Sequence, residues 1–339
     1  MAVRLKDIAA DLGVSSVTVS KVLRNQPDVG EDTRRRVLQR IKELNYTPNL
    51  LARGLASGKS QTVGLIVPNL THTFFAEFAK CLKAGLRTRG YQLVLASSDE
   101  EPEMEREEID NLLARGVDAM LVASCQSDST GLAGLSRSGV PYGLVDRLVP
   151  GFPSPFVGTD DVAAGRLATA HLIQAGSRRI AHIAGAGLST ARDRLLGYQL
   201  ELQAAGLPYD ADLVVCRSRL EEVADDVGYS EIRRLLRLKR PPDAVFCYND
   251  LIAVGAMRGV LAAGLRIPQD IAIIGCGNLR LADYLQVPLT SLDQVTNEQG
   301  EQAARLIVSL VAGRQADAPA EIRIAPQVIS RASTARSAM

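Results

Sequence analysis

LKDIAADLGVSSVTVSKVL, residues 5–23, carries two apolar faces at helical spacing with a glycine between them. Leu5, Ile8, Ala9 and Leu12 fall at i, i+3, i+4 and i+7, the face of a short amphipathic helix. Gly13 breaks that helix, and Ser15 is a good N-cap for a second one whose buried side is Val19, Val22 and Leu23. A third helix is expected from about Thr33 to Leu44, with Val37, Ile41 and Leu44 inward. Gly30 precedes it as an acceptable cap, and Glu31 and Asp32 suit the positive end of its dipole. Helix, three-residue turn with glycine, helix is the arrangement that places its second helix in the major groove of DNA.

Working outward, charge supports a polyanion as partner of this segment. Residues 1–60 hold eleven Lys and Arg against six Asp and Glu, a net +5. The chain as a whole is +1, so residues 61–339 carry −4. A basic head on an acidic body is the pattern of a head that meets phosphate. The 339 residues suggest more than one structural unit, and 46% hydrophobic residues suffice for substantial cores. No run of about eighteen apolar residues is present, so no membrane span is expected. The start, MAVRLKDIAADLG, has charges where a signal peptide needs an apolar run, so a cytoplasmic location is expected. Five scattered cysteines without a CxxC and three histidines show no metal-ligand spacing, so neither metal nor cofactor is expected.

LKDIAADLGVSSVTVSKVL, followed by TRRRV, LNYTPN and ARGLASGKSQTVGLIVP, resembles the LacI/GalR family of bacterial transcription repressors. The resemblance continues through GTDDVAAG, HLIQAGSRRI, YNDLIAVGAMRGVLAAGLRIPQDIAIIG and PLTSLDQ. It implies a homodimer on palindromic double-stranded operator DNA. Ser16, Val17 and Lys21 stand where the family reads base edges. Val17 offers methyl groups suited to a thymine methyl, Ser16 a short donor and acceptor, and Lys21 a cation for a guanine edge or a phosphate. Where the family commonly has Arg, Lys21 lacks the rigid bidentate fork. Thr18, Ser20, Thr33, Tyr46 and Asn49 are expected on phosphates, with Ser15 beside them. Residues 49–60 read as a hinge, and the resemblance implies that Ala52, Arg53 and Leu55 meet DNA there. Leu55 would wedge into a minor-groove step and bend the duplex. Gly54 lowers helix propensity by about 1 kcal/mol relative to Ala, as suits a helix that needs DNA and a partner chain to form.

From Thr62 the rhythm changes. VGLIVP, YQLVLAS, DAMLVAS, PYGLVD, RRIAHIAG, DAVFCYN and IAIIGCG are short, nearly continuous apolar runs, as strands buried on both faces are. Amphipathic stretches separate them, and glycines such as Gly90 and Gly176 close helices before the next strand. Alternation of this kind gives parallel sheets flanked by helices. The resemblance implies two doubly wound parallel-sheet lobes of the periplasmic-binding-protein type. The expected division is a helix-turn-helix domain at 1–48, a hinge at 49–60 and an effector-binding and dimerisation core at 61–339. Lobe 1 would take about 61–160 and 292–324, and lobe 2 about 161–291 and 325–339, with crossings near Asp160, Ser291 and Ala325.

A small-molecule effector, a sugar or another metabolite, is expected in the cleft at the strand C-termini. Its candidate contacts are Phe75, a ring to pack on, Asp146 at a strand end, and Arg194, a fixed cation with five donors. Asn249, Gly277 and Gln294 complete the set. Asp250 is read as the cap of the helix that follows it. Gly277 replaces an aspartate that commonly grips the effector in the family, and the chain has no Trp for an aromatic lid. Two other classes are weaker. A transport solute-binding protein lacks its leader and would not need the basic head. An α/β enzyme lacks a GxGxxG after the first strand, a P-loop and an ordered Ser-His-Asp set. Asp160 and Asp161 are adjacent carboxylates that would not face each other on a strand.

Overall fold

The computed structural model describes residues 3–23, 26–46, 59–185, 187–216, 224–314 and 320–336. They form two units, residues 1–60 and 61–339. In the first, α1 (Leu5–Leu12), α2 (Ser16–Leu23) and α3 (Glu31–Glu43) pack around Ile8, Val19 and Val37, all fully buried. Gly13 adopts φ +64°, the left-handed turn that a side chain would resist, so the chain leaves α1 and enters α2 in three residues. The Ser15 hydroxyl accepts the Thr18 N–H at 3.0 Å, the expected N-cap. The third helix begins two residues earlier than its apolar pattern indicates, because Gly30 caps it and Glu31 and Asp32 form its first turn. Arg40 of α3 reaches Asp11 of α1 at 2.6 Å, an ion pair at the edge of that core.

The second unit contains two six-stranded sheets with the same winding. In lobe 1, β1 (Thr62–Val67), β2 (Gln92–Ser97), β3 (Ala119–Val122), β4 (Tyr142–Val145) and β5 (Phe156–Thr159) lie in the order 2-1-3-4-5, and β11 (Glu321–Ile324) adds parallel to β5. In lobe 2, β6 (Ile180–Ala184), β7 (Val214–Cys216), β8 (Ala244–Cys247), β9 (Ala272–Cys276) and β10 (Thr290–Asp293) repeat that order, and β12 (Gln327–Ile329) adds antiparallel to β10. Helices α4 (Thr73–Thr88), α5 (Pro102–Ala114) and α6 (Ala133–Arg137) cover lobe 1. Helices α7 (Asp161–Gln174), α8 (Ser189–Ala204), α9 (Ala224–Leu236) and α10 (Asp250–Ala262) cover lobe 2, and α11 (Thr296–Val311) returns to pack on α4. Separate apolar cores line the two faces of each sheet, which is why the central strands read as unbroken apolar runs. A 2-1-3-4-5 sheet places its ligand crevice at the strand C-termini where the winding reverses, and here two such ends face each other.

The middle crossing lies later than Ser291. Leu292 still pairs with Cys276, and Asp293 with Gln327, so the chain leaves lobe 2 at Gln294. The pair Asp160 and Asp161 starts a helix and is not part of a strand. Asp160 accepts the Ala163 N–H at 2.9 Å as N-cap of α7, and Asp161 is buried in its first turn. The expected glycine stops hold, with φ +81° at Gly90 and +92° at Gly176.

Candidate DNA-reading helix and interlobe cleft

On α2 the residues expected at bases are presented outward. Ser15, Ser16 and Val17 are exposed, and Val17 shows 59% of its surface although it is apolar and sits on a helix with a well-packed opposite face. Thr18 bonds the Ser15 hydroxyl at 2.9 Å and so is partly spent on the cap. Ser20, Thr33 and Tyr46 are half-buried. Lys21 forms an ion pair with Asp28, a partner that α2 alone does not reveal. Asn49, Ala52, Arg53 and Leu55 lie outside the described residues.

In the second unit, five of the six cleft candidates converge. Phe75, Asp146, Arg194, Asn249 and Gln294 line one small cavity of about 20 Å³ together with His72, Phe74, Arg147, Tyr248 and Cys276. Lobe 1 supplies His72 and Phe75 from the start of α4 and Asp146 and Arg147 from the end of β4. Asp146 has φ +62°, and the Arg147 N–H returns to the Val145 carbonyl at 2.6 Å. That tight turn aims adjacent side chains into the cleft and holds a non-glycine residue in a conformation common at functional sites. Arg147 is 2% exposed and grips Glu100 with both terminal nitrogens at 3.0 Å, and its Nε lies 3.6 Å from Asp146. Burial raises the pKa of the Asp146 carboxyl, and lowers that of His72 to about 4, so the imidazole is neutral at pH 7.

Lobe 2 supplies the donors. Arg194 is 3% exposed, donates from Nε to Asp161 at 2.7 Å and from Nη1 to the Tyr248 carbonyl at 2.8 Å, and lies 4.7 Å from the Tyr248 ring centre. Burial pushes the Asp161 carboxyl up, and the guanidinium beside it opposes that shift. Asn249 is the N-cap of α10, its Oδ1 accepting the Ile252 N–H at 2.9 Å. Its Nδ2 is buried with no acceptor. The cap expected of Asp250 therefore belongs to Asn249. Asp250 instead accepts the Ser291 hydroxyl at 2.6 Å and the Leu279 N–H at 2.8 Å, joining β10 to the loop after β9. Gly277, φ +131°, follows Cys276 in that loop, and a β-carbon there would stand 3.5 Å from the Asp250 carboxylate. A second carboxylate at 277 would face one already buried.

Gln294 faces the cleft, but its amide nitrogen is spent on the crossings between the lobes. Its Nε2 donates to Thr159 Oγ1 at 3.0 Å, and Gln299 donates to the same hydroxyl at 3.0 Å and to the Gln294 carbonyl at 2.6 Å. Two crossings are thus tied together, and the next residue, Val295, is β-branched at φ +53°. Arg147 and Tyr248, which sequence reasoning missed, are the immediate neighbours of Asp146 and Asn249, and only the turn geometry shows that they line the cleft. Asp161 was missed as well, because its partner lies 33 residues away.

Beside this cleft, and sharing Arg147 with it, opens a larger chamber of about 340 Å³. Ser124, Gln126, Leu148 and Pro150 form its lobe 1 wall, and Leu188, Ser189, Arg192 and Leu195 its lobe 2 wall. The Leu148 N–H donates to the Ser189 hydroxyl at 2.8 Å across the two lobes.

A helix-turn-helix head with an outward apolar reader, carried on a two-lobed core with a polar cleft, defines a class of ligand-responsive DNA-binding regulators. Residues 4–49 match the family model described as bacterial regulatory proteins, lacI family, and residues 169–334 that of a periplasmic binding protein-like domain. The chain is 36% identical over 318 residues to the HTH-type transcriptional regulator CelR of Thermobifida fusca, spanning 91% of this chain and 92% of that one. It is 32% identical over 310 residues to catabolite control protein A of Priestia megaterium, with the same coverage of each chain. Among solved structures, a CelR–cellobiose complex superposes with a TM-score of 0.74 at 32% identity over 98% of this chain and 99% of that one. A Lac repressor dimer bound to operator and the anti-inducer ONPF gives a TM-score of 0.87 at 24% identity over 98% and 99%, a likeness of fold. The chain belongs to the LacI family of bacterial transcriptional regulators and binds DNA through its N-terminal helices. No described helix is long and apolar enough to cross a membrane.

Proposed function

We propose that the protein is a cytoplasmic, dimeric repressor that binds a palindromic operator and is controlled by a neutral, hydroxyl-bearing effector held between its lobes. Val17 and Ser16 read base edges, Lys21 adds a cation, and Ser15, Thr18, Ser20, Thr33, Tyr46 and Asn49 hold phosphates. Residues 49–60 form the hinge, where Ala52, Arg53 and Leu55 enter the minor groove. The observation that carries the effector reading is the Asn249 Nδ2, a buried donor without an acceptor. Leaving such a group unpaired costs about 1–3 kcal/mol, which a ligand oxygen relieves. Asp146 from the other lobe accepts hydrogen bonds from ligand hydroxyls, Arg194 donates from its remaining N–H groups, and Phe75 packs against the ligand ring. Gly277 lets the loop pass close to the ligand, and Gln294 acts through its tie to Thr159 at the lobe crossings. A similar structure that is a CelR–cellobiose complex supports a sugar.

Because both lobes supply contacts, ligand favours one lobe arrangement by its differential affinity for the two states, and the hinges transmit the shift to the heads. The protein is read as a non-enzyme. The Cys276 thiol is pushed up to about 12 by burial and is no nucleophile, and His72 is neutral without a carboxylate bonded to its ring. Operator retardation with and without effector tests the reading. Arg194→Ala and Asn249→Ala should keep operator binding and lose the effector response, and a normal response in both variants would remove the cleft assignment.

A further inference from the structure

Six carboxylates lie among the basic residues of the head, and five of them serve its own scaffold. Asp7 accepts the Arg4 N–H at 2.8 Å and closes the start of α1. Asp11 and Glu43 share Arg40. Glu31 and Asp32 form the first turn of α3, where negative charge suits the helix dipole, and Asp32 also pairs with Arg35. Asp28 differs from these. Its carboxylate pairs with Lys21, the cation of α2.

The pair lies on the outward side of that helix. Lys21 follows the exposed Val17 by four residues and so shares its side of α2. Asp28 is exposed in the turn between α2 and α3, and this turn is held from several directions. The Gln26 N–H donates to the Lys21 carbonyl at 3.0 Å, and Arg34 donates to the Gln26 carbonyl. Pro27 fixes one backbone dihedral, and Val29 packs on the core of the head. The carboxylate is therefore presented to Lys21 from an anchored turn. With side chains 36% and 51% exposed, the pair adds little to stability, because water and salt screen it. A carboxylate on a surface that meets phosphate also costs affinity for DNA of every sequence. What Asp28 can improve is the choice of site.

Lysine has a flexible stem and three N–H donors, and by itself it settles on a phosphate as readily as on a base. With one donor given to Asp28, the ammonium is oriented and two donors remain. Guanine offers two acceptors, O6 and N7, in the major groove. The acid also repels the phosphates that would capture a free cation, and a repulsive element of this kind raises specificity. On the reading of α2 as the base-reading helix, we propose that Asp28 is a specificity-determining residue of operator recognition. It orients Lys21 toward a guanine edge and holds it off the backbone, a positioning residue that acts through Lys21.

The test uses the full-length protein and an operator that it selects from random duplexes, with each base pair then replaced in turn. Lys21→Ala identifies the base pair that Lys21 reads, as the one preference it erases. Asp28→Asn keeps the shape and removes the charge. It should lower the preference for guanine at that pair about tenfold and leave the other pairs as they were. It should also raise affinity for random duplex, with a steeper salt dependence, because the freed lysine reaches a phosphate. In a Lys21→Ala background, Asp28→Asn should change no base preference. A loss spread evenly over all base pairs marks a structural role, and a rise in random binding with the guanine preference intact marks charge alone. Either result overturns the proposal, as does an effect on base preference that persists without Lys21. If Lys21→Ala erases no preference, Lys21 holds a phosphate, and its base-reading assignment falls together with the role of Asp28. If it erases one that Asp28→Asn leaves untouched, only Asp28 has been misassigned.

Discussion

Val17 is the most telling single residue in the head. An apolar side chain 59% exposed on a helix whose other face is fully packed has no role in the core of its own unit. If its methyl groups meet a thymine methyl, as proposed, Val17→Ala should lower discrimination at one base pair by about 1–3 kcal/mol while binding to random duplex holds. Competition titrations of operator variants against the parent site check this. Uniform loss across all sequences would assign Val17 to the backbone instead. His182 shows the opposite case, a polar residue that belongs to the core. It stacks on Phe246 at 4.5 Å, its Nδ1 donates to the Phe246 carbonyl at 2.9 Å, and burial lowers its pKa to about 4. The unfolded chain takes up this proton near pH 6.5 and the folded chain only near pH 4. The stability tied to this residue is thus complete above pH 6.5 and is lost as pH falls toward 4. His182→Phe, which keeps the stack and removes the titration, should show a smaller fall in melting temperature between pH 7 and pH 5 than the parent. Equal falls would contradict the neutral assignment.

At the scale of elements, what the sequence revealed and what it hid have separate physical causes. Central strands such as LIV in β1 and AIIG in β9 are buried on both faces and stand out as apolar runs. β11 and β12 are edge strands of three or four residues with exposed, charged or polar positions, so no apolar run marks them, and β7, an edge strand of three residues, is too short a run to stand out. Asn249 and Asp146 were visible because strand C-termini carry the ligand crevice. Their neighbours Arg147 and Tyr248 needed the turn geometry, and the pairing of Asp161 with Arg194 needed the packing of α7 on α8. That packing is a close approach of two helices at the cleft. A β-carbon at Gly197 would stand 2.1 Å from the Val162 carbonyl oxygen, and one at Gly165 2.1 Å from the Arg194 carbonyl oxygen. Replacing a helical glycine by alanine gains about 1 kcal/mol of helix propensity where space allows. Here the opposing atoms are backbone and cannot turn aside, so Gly197→Ala should lower stability by about 1–3 kcal/mol net of that gain. Because Arg194 and Asp161 ride on the separated helices, the effector response should weaken in parallel. Chemical denaturation and operator release measure the two effects, and an unchanged or raised stability would refute the close approach.

For the whole molecule, charge and shape divide the work. The +5 of residues 1–60 suits attachment of the head to any DNA, and in the proposed reading the side chains of α2 with the hinge choose the site. The −4 of the remainder is compatible with a body that meets a second chain and a small ligand. Two sheets of identical winding oppose their ligand-binding ends, and the Thr159–Gln294–Gln299 tie joins two of the crossings about which the lobes would move. Binding a ligand across that cleft and choosing a DNA site are then two ends of one equilibrium. The most direct test is the affinity of the full-length protein for an operator selected from random duplexes, measured by fluorescence anisotropy with and without the effector that a thermal-shift screen of sugars and other metabolites identifies. Saturating ligand should change that affinity at least tenfold in the parent, a coupling of about 1.4 kcal/mol, and leave it unchanged in Asn249→Ala. An operator affinity in the parent that is the same with and without bound ligand would contradict the account.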